Sequence, residues 1–429
     1  MKNTTRTLPA VLLLVILSLA ACKDSLVERR TYSANVPDYM SYSDLRMPVK
    51  STAPTELSNN GKIYVKDHYL FINEKYKGIH VYDNSNPAAP ANLIFIDIPG
   101  NVDLSVKGDF LYADSYTDLV VLNISDISQP VEVARLKDVF PYTIPEVDNS
   151  LPLTGIDPQK GVITGWKVIK VTEDVGSQGG YPYYYFDKIT NVYSVSTMNT
   201  GGIIPASQTV GVGGSLARFI IYGNQFYGLN QNSLQVISLI EPDAPALGAK
   251  IDLQHTAETV FIDSTRLFIG TQTGMLIYDL SQPFSPQYIT QFNHFQSCDP
   301  VVVQDNIAYV TMRSGNNCGN FQNAMDVVDL HVITNPQLIK TYPLTQPYGI
   351  GIDHKTLFVC DGSAGLKIYN ATDPLRIDEN LIKTFADLQA FDVIPLNGIL
   401  ILIAADGLYQ YDYTDLNKLH LLSKIAIGK

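Results

Sequence analysis

The sequence lacks the short motifs that usually carry catalysis. Its 429 residues contain no GxSxG, HExxH, Walker-type, EF-hand or zinc-type Cys/His pattern. Cysteine is scarce, with four residues, and there is a single tryptophan. We therefore expect no metal and no other cofactor, and we assign no catalytic residue.

Basic residues are also in short supply. The chain has 30 Lys and Arg against 42 Asp and Glu, which gives a formal net charge of −12. Binding to a phosphate backbone needs clustered Lys and Arg. We therefore do not expect nucleic acid as a partner.

Long apolar runs are absent except for one, from Leu8 to Ala21, which follows Lys2 and Arg6. At about a dozen residues it is too short to cross a bilayer core of roughly 30 Å. A charged start, an apolar middle and a small-residue end are typical of a secretory signal. Residues 1–21 are therefore predicted to be a signal peptide.

The signal ends in Leu19-Ala20-Ala21-Cys22, which resembles the lipobox of bacterial lipoproteins. The resemblance implies that Cys22 carries the lipid and that 22–59 form a tether; the alternative is a plain signal peptide with a chance cysteine. Lys23-Asp24 is similar to part of the export signal of surface lipoproteins in Bacteroidetes-type bacteria. The expected location is the cell envelope, at the outer membrane or cell surface, with the membrane contacted through the anchor alone.

Repetition dominates the rest of the chain. The stretch GIHVYDNSNPAAP at 78–90 returns as GMLIYDLSQPFSP at 274–286 and GLKIYNATDPLRI at 365–377. With weaker copies there are eight, and the residues at their sixth positions are Asp83, Asn123, Ser194, Ser238, Asp279, Asp329, Asn370 and Asp412. A spacing of about 40–45 residues is typical of four-stranded propeller blades.

Each copy contains the pattern of four short strands, a to d. In the second copy these runs are 102–106, 110–114, 119–123 and 131–136, separated by Gly, Asp and Pro turns. The sequence therefore predicts an all-β fold: one propeller over 60–429. Eight blades are favoured because there are eight copies, and seven is the alternative because the copy starting at 189 is degenerate. Residues such as Asp83 are expected to cap the c–d turn. The only helix expected is SYSDLRM (41–47), before Pro48.

The strands c, here VVLNIS, LIYDLS and VYSVS, resemble those of the LVIVD-repeat β-propeller family. The resemblance covers nearly all of 60–429. It implies the propeller fold, and the lipobox suits the surface lipoproteins of that family. It implies no established activity and no catalytic positions.

Two stretches depart from the repeat. An insertion at about 140–188 includes Trp166 and the aromatic run YPYYYF. This region is either an aromatic ledge for a ligand or the first strands of a degenerate third blade. The second departure, RSGNNCGNFQNA (313–324), contains Cys318, which we predict to form a disulfide with Cys298 in an oxidising compartment.

Charged residues recur where strand a begins, at the face formed by the d–a and b–c loops. We interpret them as a ligand-binding rim or, alternatively, as a salt-bridge belt that closes the channel. The candidate ligand-binding residues on this face are Lys62, Asp103, Arg218, His255, His294, Arg313, Tyr348 and Asp392.

The function predicted from these features is a membrane-tethered, non-enzymatic β-propeller that binds or scaffolds a glycan or a protein. One alternative is an extracellular polysaccharide lyase or hydrolase that uses His, Tyr and Arg on the same face. A third is a purely structural envelope protein.

Overall fold

The computed structural model describes residues 28–59, 61–145, 147–148, 150–175, 212–293, 300–314 and 322–428. The chain divides into two compact units, one of residues 1–40 with 144–192 and one of 41–143 with 193–429. Cys22, His294, Cys298 and Cys318 lie outside the described residues, so the lipid site and the disulfide stay predictions. No helix in the described part of the chain is long and apolar enough to span a membrane.

The elements follow one another as short strands with little helix. The first are β1 (Glu28–Met40), α1 (Tyr42–Leu45), β2 (Lys50–Thr52), β3 (Ile63–Lys66), β4 (Tyr69–Glu74), β5 (Gly78–Asp83), β6 (Ala91–Asp97), β7 (Leu104–Lys107), β8 (Phe110–Ser115), β9 (Asp118–Asn123) and β10 (Val131–Leu136). Next come a 3-10 helix (Pro158–Lys160), β11 (Val162–Val175), β12 (Val212–Gly213), β13 (Phe219–Tyr222), β14 (Gln225–Asn230), β15 (Ser233–Ser238), β16 (Ala246–Asp252), β17 (Ala257–Asp263), β18 (Arg266–Thr271), β19 (Gly274–Asp279) and β20 (Gln287–Asn293). The last are β21 (Val301–Gln304), β22 (Ile307–Met312), β23 (Ala324–Asp329), β24 (Gln337–Pro343), β25 (Ile350–Asp353), β26 (Thr356–Cys360), β27 (Leu366–Asn370), a 3-10 helix (Asp378–Asn380), β28 (Leu381–Phe385), β29 (Ala390–Leu396), β30 (Ile399–Ala404), β31 (Gly407–Asp412) and β32 (His420–Ala426).

The larger unit is a β-propeller of four-stranded antiparallel blades, as predicted. Within the described residues there are seven blades, starting at β3, β7, β13, β17, β21, β25 and β29. Blade 1 alone among these has two further strands: β12 pairs with its inner strand β3, and β2 pairs with its outer strand β6. The inner strands β3 and β21 bury apolar residues on both faces, as sheets packed between two neighbours require.

The expectation of eight blades is wrong. Blades 2 and 3 pack directly on each other, with Phe140 stacked on Phe219 at 5.1 Å between ring centroids and Tyr112 in the same cluster. The stretch GWKVIKV, interpreted as strand a of a third blade, lies in β11, which pairs with β1 instead. The degenerate copy at 189 and the run YPYYYF lie outside the described residues.

The smaller unit is an antiparallel ribbon of β1 and β11. The pairing runs from Glu28 opposite Val175 to Met40 opposite Val162, with one bulge. Residues of the insertion return to the ribbon, because the Asn35 side chain donates to the carbonyls of Asp148 and Leu151 at 2.9 and 3.2 Å. Part of the predicted tether, 28–40, is therefore strand.

The c–d turns are capped as predicted. The side-chain oxygens of Asp83, Asp279 and Asp412 accept from the backbone N–H two residues on, at 2.8, 2.9 and 2.8 Å. The predicted helix is α1, whose N-cap Ser41 accepts from the N–H of Asp44. These local signals need no tertiary information, which is why the sequence reveals them.

The ring closes where the first and last blades pack together. Ile63, Val65 and Leu70 of blade 1 share one buried cluster with Ile401 and other residues of blade 7. Two side-chain hydrogen bonds join Asn84 and Gln410 across the same seam, at 2.8 and 2.7 Å. The seam joins residues more than 300 apart in sequence, so it stabilises the ring only when both ends are folded.

Replacing Ile401 by Ala tests this seam. Ile401 is 1 % exposed, and removing its methyl groups leaves a cavity that should lower the free energy of unfolding by about 2–5 kcal/mol in urea titration. Ile240→Ala is the control, because Ile240 is 47 % exposed and should change the free energy by less than about 1 kcal/mol. Equal, small effects of both substitutions would contradict the packing described here.

Candidate binding face

The charged residues at the start of strands a face one another at the centre of the ring. Lys62 of blade 1 forms a salt bridge with Asp103 of blade 2, with 2.6 Å between Nζ and Oδ2. The same Asp103 oxygen accepts from the backbone N–H of Arg218 in blade 3, at 2.5 Å. The Arg218 side chain donates to the carbonyl of Leu229 at 3.1 Å. These residues bind protein groups, as the belt interpretation describes.

Asp392 of blade 7 is almost fully buried and holds a segment that enters the channel. Its Oδ1 accepts from the Ser215 hydroxyl at 3.2 Å and from the N–H of Val393 at 3.0 Å. A side chain at Gly214 would put its Cβ 1.9 Å from Asp392 Oδ2, and one at Gly349 would lie 2.3 Å from Oδ1. Glycine is therefore required at both positions for this close approach.

The segment 212–218, here called the channel segment, contacts the inner strands of most blades. β12 pairs Val212 with Val65 and Gly213 with Tyr64 of blade 1. Backbone N–H groups of blades 6 and 4 donate to it, from Ile350 to Ser215 Oγ at 2.8 Å and from Val260 to the carbonyl of Ala217 at 2.9 Å. The channel is therefore occupied by the protein's own backbone at this level. No sequence motif marked this role, although the small residues Gly213, Gly214 and Ser215 are the composition such a passage needs.

Burial sets the protonation of this cluster. Burial raises the pKa of Asp392 to about 6, although hydrogen bonds from Val393 and Ser215 oppose the shift. Burial likewise raises the pKa of Asp114 to about 6, against the charge of Arg218 and the N–H groups of Asp103 and Val102. Burial lowers the pKa of Lys62, and Asp103 only partly offsets this.

Two predicted residues, one on the b–c loop of blade 5 and one on the d–a loop that leads into blade 6, meet near the first strand of blade 7. The guanidinium of Arg313 lies over the ring of Tyr348, 4.0 Å from its centroid. The Tyr348 ring meets Phe391 edge-on at 5.0 Å. All three side chains are half-buried, so each keeps a surface toward solvent. We call Arg313, Tyr348 and Phe391 the aromatic platform.

Buried Asp361 holds the loop that carries this platform. It accepts from the N–H groups of Thr345 and Gln346 at 2.9 and 2.7 Å and forms a salt bridge with Lys367 at 2.6 Å. The N–H of Tyr348 donates to the carbonyl of Cys360, which is a buried free thiol as expected. Sequence reasoning missed Asp361 and Phe391, because nothing in the repeat distinguishes them from other strand-end residues.

His255 does not join the platform. His255 belongs to blade 4, and its Nδ1 lies 3.2 Å from the hydroxyl of Thr273. The insertion residues from 144 onward belong to the smaller unit, where the Trp166 indole donates to the carbonyl of Pro145 at 3.1 Å. No group of three or more His, Cys, Asp or Glu in the described ranges could hold a metal ion.

Asp392→Asn tests the electrostatics of the channel segment. Because the pKa of Asp392 is about 6 in the folded state and near 3.8 when unfolded, the folded protein binds the proton more tightly. The stabilisation of the folded state by this tighter proton binding is fully present below about pH 4. It is lost as the pH rises to about 6, a change of roughly 3 kcal/mol in the free energy of unfolding. The difference in unfolding free energy between wild type and Asp392→Asn should therefore change by that order between pH 4 and 7, measured by urea titration. Asp109→Asn, at an exposed turn, is the control; parallel pH profiles for wild type and Asp392→Asn would refute the assignment.

The comparisons with known proteins agree with this architecture. The LVIVD repeat model matches residues 59–96 and 100–138, which span blades 1 and 2. No match to a curated protein was found.

Three solved structures are similar in fold. A protein from Lactobacillus plantarum is 11% identical, covers 86% of this chain and 96% of its own, and gives a TM-score of 0.51. The computationally designed Ika8 protein is 10% identical over 87% of this chain and 89% of its own, with a TM-score of 0.50. Sqt1 from Saccharomyces cerevisiae is 8% identical over 87% and 88%, also at 0.50. At such low identity the likeness extends to the fold alone. The chain is a β-propeller that carries LVIVD repeats, as its strands c predicted.

Proposed function

We propose that this chain is an exported β-propeller, anchored to the cell envelope through Cys22, that binds a partner protein or glycan on its d–a and b–c loops. The observation that carries the binding proposal is the aromatic platform of Arg313, Tyr348 and Phe391. Arg and Tyr are the residue types that dominate binding energy at interfaces. Aromatic rings also offer flat apolar area to a sugar.

The platform is also preorganised. Asp361 and Cys360 fix the backbone of the Tyr348 loop, and the Thr311 hydroxyl donates to the carbonyl of Tyr348 at 2.8 Å. A rigid site loses less conformational entropy when it binds. By contrast, Lys62, Asp103, Arg218 and Asp392 already bond to protein groups, so their contribution to the proposed site is to hold the channel segment.

The lyase or hydrolase alternative has less support in the geometry. It would bring His255, His294, Arg313 or Tyr348 together in one deep pocket. The structure places Arg313 on Tyr348, whereas His255 bonds to Thr273 in its own blade. We therefore assign binding to this face.

Substitution of the platform tests the binding proposal. Arg313→Ala and Tyr348→Ala should each weaken partner capture by about tenfold or more, because each removes a large contact at the centre of the site. Partners are sought by pull-down from intact cells and on a glycan array, and affinity is then measured by calorimetry. Arg376→Ala, an exposed arginine paired with Glu379 on a c–d turn, is the matched control. Melting temperatures establish that the variants fold; unchanged affinity in both platform variants would rule the site out.

Cys22→Ser tests the anchor. If Cys22 carries the lipid, the substitution removes the attachment atom and should move the protein from the membrane to the soluble fraction, followed by fractionation and immunoblotting. Met47→Ser, at an exposed residue, is the control and should remain with the membrane. Continued sedimentation of Cys22→Ser with membranes would contradict the lipoprotein assignment without affecting the binding site.

A further inference from the structure

Exposed apolar residues recur on the side of the ring opposite the aromatic platform. The c–d turns of four consecutive blades, 3 to 6, each present one: Ile240, Phe284, Val332 and Leu375. Their exposures lie between 43% and 62%. The turns of blades 1, 2 and 7 have no such residue among the exposed large hydrophobics. Scattered exposed apolar residues are ordinary, whereas repetition at one level of adjacent blades is not.

The same turns are acidic. The a–b and c–d connections of blades 3 to 6, with one flanking residue at each end, carry ten Asp and Glu against three Lys and Arg. Hydrogen bonds from the turn backbone lower the pKa of Asp279 and Asp329, so these carboxylates are ionised at neutral pH. We call this surface the turn face. It consists of the a–b and c–d connections of blades 3 to 6, with their exposed apolar residues and the surrounding carboxylates.

The chain itself shows what chemistry binds an acidic and apolar propeller surface. Residues 46–50, RMPVK, lie on the outside of blades 1 and 2. Arg46 forms salt bridges with Asp118 and Asp138, each at 2.9 Å. Val49 packs on the apolar cluster of these blades, and its N–H donates to Glu132 at 2.8 Å. A short segment with a basic residue at each end and apolar residues between them therefore already docks on this propeller.

The outer strands of blades 3, 5 and 6 are less suited to such a segment. Lys250, Lys340 and Lys383 lie on β16, β24 and β28. Lysine on an outer strand opposes the addition of a further strand and repels a basic partner. The acidic turns, and not the outer strands, are therefore the complementary surface.

We infer that the turn face of blades 3 to 6 docks a basic, amphipathic segment of another protein. Apolar side chains of that segment cover residues such as Phe284 and Val332, and its Lys or Arg side chains pair with the surrounding carboxylates. Burial of apolar area supplies affinity, and the charge pattern supplies selectivity and a fast association rate. This surface is separate from the aromatic platform, so the binding proposal for one surface can be wrong while the proposal for the other holds.

Binding of the full soluble domain to two synthetic peptides tests the inference. One peptide has lysine on one side and leucine on the other, and the second has glutamate in place of lysine. The lysine peptide should bind at least about tenfold more tightly, and more weakly as salt increases, because salt screens exposed charges over about 10 Å at 0.1 M. Equal affinity for the two peptides would overturn the inference.

Two pairs of variants locate the contact. Each of two double variants should weaken lysine-peptide binding by about tenfold. The first, Phe284→Ser with Val332→Ser, removes apolar contacts, and the second, Glu241→Gln with Asp305→Asn, removes two charges. The matched controls are Val168→Ser with Ile169→Ser, at 58% and 46% exposure on β11, and Asp252→Asn with Asp387→Asn outside the turn face. The controls should change affinity less than about twofold.

Three outcomes would overturn the proposal. One is an unchanged affinity in both turn-face pairs. Another is binding only to phosphatidylcholine or phosphatidylglycerol vesicles, which would make the face a membrane contact. The third is dimerisation in sedimentation velocity that Phe284→Ser with Val332→Ser abolishes, which would make it an interface between copies of this chain.

Discussion

The propeller depends on two buried carboxylates that bind the channel segment. Asp103 accepts from the N–H of Arg218, and Asp392 accepts from the Ser215 hydroxyl. Burying a carboxylate is costly unless hydrogen bonds or an opposite charge compensate it. Here Lys62 and donors from three blades provide that compensation. Inner strands that would otherwise surround water are therefore joined through one short piece of backbone.

This arrangement limits where a ligand can bind. Charges that line a channel would focus a field on an incoming ligand only if they were free to face it. Asp103 and Asp392 are each 2 % exposed and are already engaged. The proposed binding site is therefore on the loops, where Arg313 and Tyr348 keep part of their surface in water, and not on the axis. The rigidity that the inner cluster provides is what lets loop residues hold a fixed geometry.

The parts of the structure that sequence predicts are those encoded within one repeat. Strands a to d, the capping residues Asp83, Asp279 and Asp412, and the helix after Ser41 all depend on neighbours within a few positions. The wrong blade count came from including the degenerate copy at 189, with GWKVIKV as the strand a of its blade. The pattern of GWKVIKV fits any strand. Its partner, β1, lies more than 100 residues away, and pattern alone cannot distinguish that pairing from a blade.

The candidate site shows the same division. The repeat predicts that Lys62, Asp103 and Asp392 lie at the same level, where strands a begin, and ring closure brings them together. The sequence does not reveal that Ser215 and Arg218 would satisfy them, because the channel segment belongs to a stretch with no repeat partner. The contact between Arg313 and Tyr348 joins two blades. The sequence predicts only that both residues lie on the same face of the propeller, and not that they touch.

The two ends of the propeller have different chemistry because their loops have different structural roles. At one end, buried carboxylates near the ends of strands b accept from the backbone of the d–a loops, as Asp361 does from Thr345 and Asp114 from Val102. The c–d turns of blades 4 to 6 are already capped by Asp279, Asp329 and Asn370, so the other residues of these turns are free to vary. In blades 3 to 6 that freedom has yielded apolar side chains among ionised carboxylates. Such side chains do nothing for the folded blade, because its core is complete without them. Exposed large apolar side chains lower solubility. The presence of one in each of four successive turns is therefore best accounted for by the docked segment proposed above, which would cover them.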